Sequence, residues 1–269
     1  MGRLGAFGKY ASERGLGWAL LYSVRKASER AIATVDKRLV RIEKRRRITG
    51  PNTVSSRYHT VKENTAIWDT WDWSARGEEW TEDVRRYRGI DPGVWKGQLV
   101  DELIVGRVPQ DSVVLEIGPG AGRWSEFLLQ RAGRLILADI SSKCVEICRE
   151  RFGEDPRVEL HRIDDGTLSF VGDDVVDVVW AYDVFVHINP EDTDRYLGEI
   201  RRVLRSGGTG VIHHPGTYAN EDAHTKGYRS HVTAQLFADI ASKHGLAVLE
   251  QDRSLSHMPG DVVSVLSKE

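Results

Sequence analysis

From Ser112 onward, short apolar runs alternate with amphipathic stretches. VVLEI (113–117), RLILAD (134–139), RVELHRID (157–164), DVVDVVWAYD (174–183), GTGVIHH (208–214), LAVLEQD (246–252) and DVVSVLSK (261–268) are rich in β-branched and large apolar residues and have strand length. Helical patterns separate most of them. In SKCVEICRERF, Val145, Cys148 and Phe152 share one stripe, and TAQLFADIASKHG has a similar apolar face. INPEDTDRYLGEIRRVLRSGG marks its own ends: Asn189 caps, Pro190 fits the first turn, Glu191 and Asp192 favour the positive pole, and Gly207-Gly208 terminate. Strand-helix alternation of this kind predicts an α/β domain built on a doubly wound, mostly parallel sheet of seven strands, covered on both faces. The last two strands have no helix between them and predict an antiparallel edge.

The chain before Ser112 has a different texture. Leu21, Val24, Ile32, Val35, Leu39 and Ile42 recur at helical spacing among arginines and lysines, until Gly50-Pro51-Asn52 stops the pattern. Residues 1–50 are therefore expected to form a basic amphipathic helical arm. Residues 51–100 are rich in aromatics and broken by Gly77, Gly89, Pro92 and Gly93, which predicts a small helical cap on the domain at 101–269. WDTWDWSARGEEW (68–80) concentrates four tryptophans and four carboxylates there. Tryptophan is seldom fully buried and needs a partner for its indole N–H when it is, so such a stretch either paves a boundary or faces a ligand.

Charge sharpens this division. The net charge of −2 conceals thirteen basic against four acidic residues through Arg47, a balance of +9 there and −11 elsewhere. The arm suits docking, pairing with a second copy, or an anionic membrane surface. With its excess of basic residues clustered on the arm and a net acidic remainder, the chain is not expected to bind nucleic acid. No apolar run is long enough to span a bilayer, and the start lacks a secretory cleavage pattern, so a cytoplasmic location with peripheral membrane contact through the arm is expected. Two cysteines, Cys144 and Cys148, are too few for a zinc site of their own and read as buried reduced thiols.

The chemistry is written at the strand ends. Gly118, Gly120 and Gly122 follow the first strand, where a glycine-rich turn lets backbone approach a cofactor. A dinucleotide fingerprint would require glycine where Arg123 stands, and no Gly-Lys-Ser/Thr follows for a phosphate loop. Glu116, just before the glycines, suits an ammonium group. Asp139, ending the second strand, suits a pair of ribose hydroxyls. A ligand with an amino-acid end and a nucleoside end, free of phosphate, fits both, and S-adenosyl-L-methionine is that ligand.

On these residues the chain resembles the class I S-adenosylmethionine-dependent methyltransferases. VLEIGPGAG (114–122), LADIS (137–141), IDDGTL (163–168), AYDVFVHI (181–188) and RVLRSGG (202–208) match the family in order and spacing. The resemblance covers roughly residues 100–269 and implies a Rossmann-like fold. It implies that Gly118, Gly120 and Gly122 line the cofactor, Asp139 with Ile140 holds the ribose, Asp165 with Gly166 lies near the adenine, and Asp183 lies near the methionine end.

An alcohol acceptor needs its proton removed, most often by histidine. His187, His213 and His214 stand at strand ends around the cofactor, and in VIHH side-chain alternation sends His213 and His214 to opposite faces. His187 leads because it follows Asp183. A metal, Mg²⁺ by similarity to certain sugar O-methyltransferases, would use Asp164, Asp183 and His187. Sugars offer apolar C–H faces to indoles and hydroxyls to carboxylates, so Tyr58, His59, Trp71, Trp73, Tyr218, Tyr228 and Arg229 are candidate acceptor contacts. The cap and VIHHPG loosely resemble bacterial and mycobacterial sugar O-methyltransferases. The expected activity is O-methylation of a carbohydrate or glycosylated small molecule. The competing readings are a lipid or polyketide acceptor at a membrane surface, and a catalytically silent partner protein; the stripe in the arm also makes a homodimer an expectation.

Overall fold

The computed structural model describes residues 60–164, 166–216 and 229–269, together with isolated helical positions between residues 16 and 38. Seven strands, β1 (Ser112–Ile117), β2 (Ala132–Asp139), β3 (Val158–Arg162), β4 (Val176–Ala181), β5 (Leu204–Pro215), β6 (Leu246–Asp252) and β7 (Asp261–Lys268), form one sheet in the order β3-β2-β1-β4-β5-β7-β6. The first five pair in parallel. The last strand, β7, runs antiparallel to both β5 and β6 and inserts between them. This is the Rossmann-like, doubly wound sheet that the alternation of runs predicts, with β6 rather than β7 at the outer edge.

Both faces are buried because neighbouring residues of each strand point opposite ways. Leu115 and Ile117 join Val179, Leu197, Ile200 and Phe237 on one face. On the other, Val114 joins Leu135, Val178, Trp180, Trp124 and Leu128. Helices α4 (Ser125–Leu129), α5 (Ser142–Phe152), α6 (Pro190–Val203) and α7 (Ala234–Lys243) supply much of the cover. Asn189 caps α6 by accepting from Asp192 N, as the sequence predicts. The helix around RWSEFLLQR is short, only Ser125–Leu129.

The chain divides into two compact units, Met1–Thr49 and Gly50–Glu269, and the cap shares the second with the sheet. The cap comprises α1 (Val61–Thr70), α2 (Thr81–Arg88) and α3 (Pro92–Leu99), the last continuing as a π-helical segment, Val100–Val105. Thr60 and Glu63 form a reciprocal capping box at the start of α1, Gly89 ends α2 in the left-handed region, and Asp91 caps α3. Trp95 of α3 is 2% exposed and donates its indole N–H to Leu255 O at 3.2 Å, anchoring the cap to the loop after β6. Arg88 reaches the same loop through Ser254 O and Ser256 O.

In the first unit, Leu16, Leu20, Leu21, Val24 and Val35 are helical and exposed. Ile32, Leu39 and Ile42 of the predicted stripe lie outside the described residues. Among the described residues, no helix is long and apolar enough to cross a membrane.

Candidate active site

Strand order reverses between β1, which leads outward through β2 to β3, and β4, which leads to β5. At such a switch point the loops leave in opposite directions and open a crevice beyond the strands' carboxyl ends. A cleft lies there, lined by the β1 turn, the ends of β2 and β4, and the cap.

The glycine turn forms one wall. Gly118 and Gly120 line the cleft and hold φ of +69° and +56°, a region that favours glycine. A Cβ on Gly118 would lie 2.4 Å from Val184 Cγ2, and one on Gly120 would lie 3.2 Å from the Trp73 ring. Gly122 behaves differently from expectation. It does not line the cleft; at φ +83° a Cβ there would press on Phe152 of α5 at 2.5 Å, so its role is close turn-helix packing.

Asp139 ends β2 at the cleft. Its carboxylate accepts from Gly120 N at 3.1 Å and Ser141 N at 2.8 Å, leaving acceptor capacity on both oxygens. Burial raises its pKa to about 6, against the lowering effect of those backbone donors. Ile140 lines the cleft beside it. Glu116 departs from the sequence expectation: it is 1% exposed, does not line the cleft, and accepts from Ser125 Oγ at 2.6 Å. Burial pushes its pKa up to about 8, so a neutral acid rather than a carboxylate sits beneath the turn at pH 7. Gly166 is buried beside Arg195 and lies off the cleft, while Asp165 lies outside the described residues.

The cap forms the opposite wall. Trp68, Trp73 and Trp80 line the cleft and pack on one another, with ring centroids 5.8 to 6.1 Å apart. Trp73 donates its N–H to Trp68 O at 3.1 Å, which fixes its ring over the glycine turn. Trp71 is 37% exposed, stacks on Trp80 and does not line the cleft. Asp69 accepts from Ser141 Oγ at 2.8 Å and clips the cap to the Asp139 turn. Tyr58, His59, Tyr218 and Tyr228 lie outside the described residues.

The third wall follows β4. His187 closes a 3₁₀ turn, Phe185–His187, lines the cleft half-buried, and meets the Trp68 ring edge-on at 5.0 Å. Asn64 of α1 donates to His187 O at 2.8 Å and holds that turn. Of the VIHH pair, His213 turns toward Asp183, with Nδ1 3.1 Å from Oδ1. His214 faces away: it stacks on Phe237 at 3.8 Å, contacts Ser264 Oγ, and burial lowers its pKa to about 3. That excludes His214 as a base in the cleft and makes it a core residue. Asp183 lines the cleft at φ +64°, a strained region for aspartate. Burial opposes its ionisation, yet His257, His213 and Arg123 together hold its carboxyl well below the usual range.

The metal trio read from sequence does not converge. Asp164 is exposed and pairs with Arg162 at 3.2 Å, whereas the group of potential ligands that does converge, among the described residues, is Asp183, His213 and His257. Arg229 pairs with Asp261 at 3.1 Å and lies off the cleft. The sequence reading missed Asn64, Trp80, Tyr182 and Arg123 as cleft residues, and His257 altogether. Trp80 belongs to the conspicuous tryptophan stretch; His257 carries no local signal.

Residues 114–208 match the family model described as a methyltransferase domain. A relative named "Probable ribosomal RNA small subunit methyltransferase A", of Methanopyrus kandleri, is 37% identical over 97 residues, 33% of this chain and 35% of that one. Sarcosine/dimethylglycine N-methyltransferase of Halorhodospira halochloris is 34% identical over 108 residues, 39% of this chain and 38% of the relative. The chain thus spans about a third of the length of these curated relatives. The crystal structure of an S-adenosylmethionine-dependent methyltransferase from Mesorhizobium loti superposes with a TM-score of 0.52 at 15% identity, covering 65% of this chain and 98% of that one, a likeness of fold alone. The glycine turn and Asp139 at the switch point fall within residues 114–208, the stretch from β1 to the start of β5 that matches the methyltransferase-domain model, which supports the resemblance to class I S-adenosylmethionine-dependent methyltransferases read from the sequence.

Proposed function

We propose that the protein is an S-adenosylmethionine-dependent O-methyltransferase acting on a hydroxyl of a carbohydrate or glycosylated small molecule. The cofactor fits the residues present: a turn whose glycines leave the cleft free of side chains, and a buried Asp139 with acceptor capacity at the cleft. When bound, it supplies a methyl group on a sulfonium. Positioning the acceptor in line accounts for much of the catalysis in such a transfer, and a base accounts for the rest.

The observation that carries the reading is His187, an imidazole at the cleft with its ring edge against Trp68 and its backbone pinned by Asn64. A histidine there can take a hydroxyl proton while Trp68, Trp73 and Trp80 offer apolar faces to sugar C–H groups. The turn after β4 reads Tyr182-Asp183-Val184, with no Asn-Pro-Pro-Tyr motif suited to base amines. The Mg²⁺ expected at Asp164, Asp183 and His187 forms no part of this reading, because those side chains do not converge.

Transfer of labelled methyl groups to a panel of mono- and oligosaccharides tests the proposal. Label on a sugar, lost with His187→Ala while the cofactor still binds, is the expected result. No label on any sugar, with cofactor binding demonstrated, overturns the carbohydrate reading. The exposed apolar positions Leu16, Leu20, Leu21 and Val24 on a basic helical arm favour one second reading, a lipid or polyketide acceptor at an anionic membrane surface. Binding to anionic vesicles that disappears on deleting residues 1–47 supports that reading, and absence of vesicle binding rejects it.

A further inference from the structure

Asp183, His213 and His257 come from three elements: the turn after β4, the end of β5, and the loop between β6 and β7. Their potential ligand atoms lie within 4.8 Å of one another. Both histidines are deeply buried, 0% and 2% exposed, while Asp183 reaches the cleft.

The tautomer of His213 follows from its neighbours. The hydroxyl proton of Ser256 goes to Met258 O at 2.8 Å, so toward His213 Nε2, 3.2 Å away, Ser256 Oγ can only accept. In the neutral ring the proton therefore sits on Nε2, and the lone pair of Nδ1 faces Asp183. That nitrogen accepts from Asp183 N–H at 3.3 Å and stands 3.1 Å from Asp183 Oδ1. His257 Nδ1 stands 3.4 Å from the same oxygen. Among the described residues, neither Asp183 Oδ1 nor His257 Nδ1 has a hydrogen-bond partner. Lone pairs therefore converge on one buried point, an arrangement that repels unless a second ring proton or a metal cation lies among them.

The spacing selects the cation. Bonds of about 2.0–2.1 Å in a tetrahedral site put ligand atoms roughly 3.3–3.4 Å apart. The two separations from Asp183 Oδ1 are 3.1 and 3.4 Å, and all three ligand atoms lie within 4.8 Å of one another. Two imidazoles and one carboxylate suit zinc, whereas magnesium favours oxygen ligands alone. Outer contacts of the usual kind are in place: Ser256 on His213 Nε2, and Arg123 on Asp183 Oδ2 at 3.3 Å. We infer that Asp183, His213 and His257 bind a zinc ion through Oδ1, Nδ1 and Nδ1, with its fourth position on the cleft side that Asp183 lines.

The test uses tag-free full-length protein stripped with a chelator. Zinc titrated by calorimetry is expected to bind one equivalent per chain, and cobalt in its place is expected to give the intense visible bands of a tetrahedral site. Magnesium alone is expected not to compete. Asp183→Asn and His257→Gln are expected to weaken zinc by more than about 100-fold, while His161→Gln, on β3 and stacked on Phe170, leaves it unchanged. Wild-type protein that is folded and binds cofactor yet takes up no zinc overturns the inference, because a second proton on His213 then holds the carboxylate. Undiminished binding in folded His257→Gln also overturns it. Should the variants misfold, X-ray absorption at the zinc edge of the wild-type protein decides: two imidazole nitrogens and an oxygen support the site, and a shell without histidine refutes it.

Discussion

The cofactor wall and the acceptor wall of the cleft are assembled over different distances along the chain. Gly120 and Asp139 are 19 residues apart and joined by a hydrogen bond from the Gly120 N–H to the Asp139 carboxylate. Asn64 and His187 are 123 residues apart, Arg123 and Asp183 are 60, and His213 and Ser256 are 43. The first wall is a property of one strand-turn-helix-strand segment. The second exists only when the cap, the β4 turn and the β6–β7 loop have all docked. Damage to the first should therefore be local and read out in cofactor affinity, and damage to the second should spare the cofactor and read out in turnover.

The largest effect that would sharpen this contrast is expected from His187→Ala. Loss of a general base lowers kcat by about 10²- to 10⁴-fold, with cofactor affinity within about twofold of wild type by calorimetry. A comparable loss of cofactor affinity would merge the two walls into one. Next comes Asp139→Ala, which removes a carboxylate that receives Gly120 N–H and Ser141 N–H. Charge-assisted hydrogen bonds of about 1.5–3 kcal/mol translate to a cofactor Kd raised roughly 10- to 150-fold, measurable by the same titration. Trp73→Ala should be smaller. Its ring belongs to the cap yet covers the glycine turn, an exception to the division between the walls, so a cofactor Kd raised by about 10-fold is expected if that contact contributes on the order of 1.4 kcal/mol.

The most gradual effect is on stability, because it is spread over several pH units. Glu116 has a folded pKa of about 8, above its ordinary value of 4.5, because burial penalises the charged form. The folded state then holds a proton that the unfolded state releases, so this contribution is fully present below about pH 4.5 and is lost as pH rises through about 8. Asp139, raised to about 6, acts in the same direction at lower pH. Denaturant unfolding of wild type should weaken from pH 5 to pH 8.5, and Glu116→Gln, which keeps the neutral shape, should flatten that slope. A slope unchanged in Glu116→Gln would show that the carboxyl is ionised beneath the turn.

Legibility followed the same division. Strands β6 and β7 and helix α5 occupy the residues their apolar patterns predict, because periodicity and β-branching act within a few residues. The alternation that separates His213 from His214 was readable, but which of the two turns toward Asp183 and which enters the core depended on the side that α7 and Phe237 cover. Glu116 and Gly122 sit beside readable glycines, yet both turn from the cleft, Glu116 toward Ser125 and Gly122 toward Phe152. The tryptophan stretch announced a surface that needed partners. It did not say that Trp73 and Trp80 enter the cleft and Trp71 stays outside, since that depends on the path of the turn after α1 and on its clip to Ser141.

By itself, the sequence determined the layered sheet, the cofactor turn and Asp139 at the end of β2, because each is specified by residues close together in the chain. Tertiary structure alone decided the insertion of β7 between β5 and β6, the placing of His187 on the cleft, of His213 against Asp183 and of His214 in the core, and the meeting of Asp183 with His257. These depend on long-range docking, in which a side chain's neighbours are set by what else must be buried, and no local pattern encodes that.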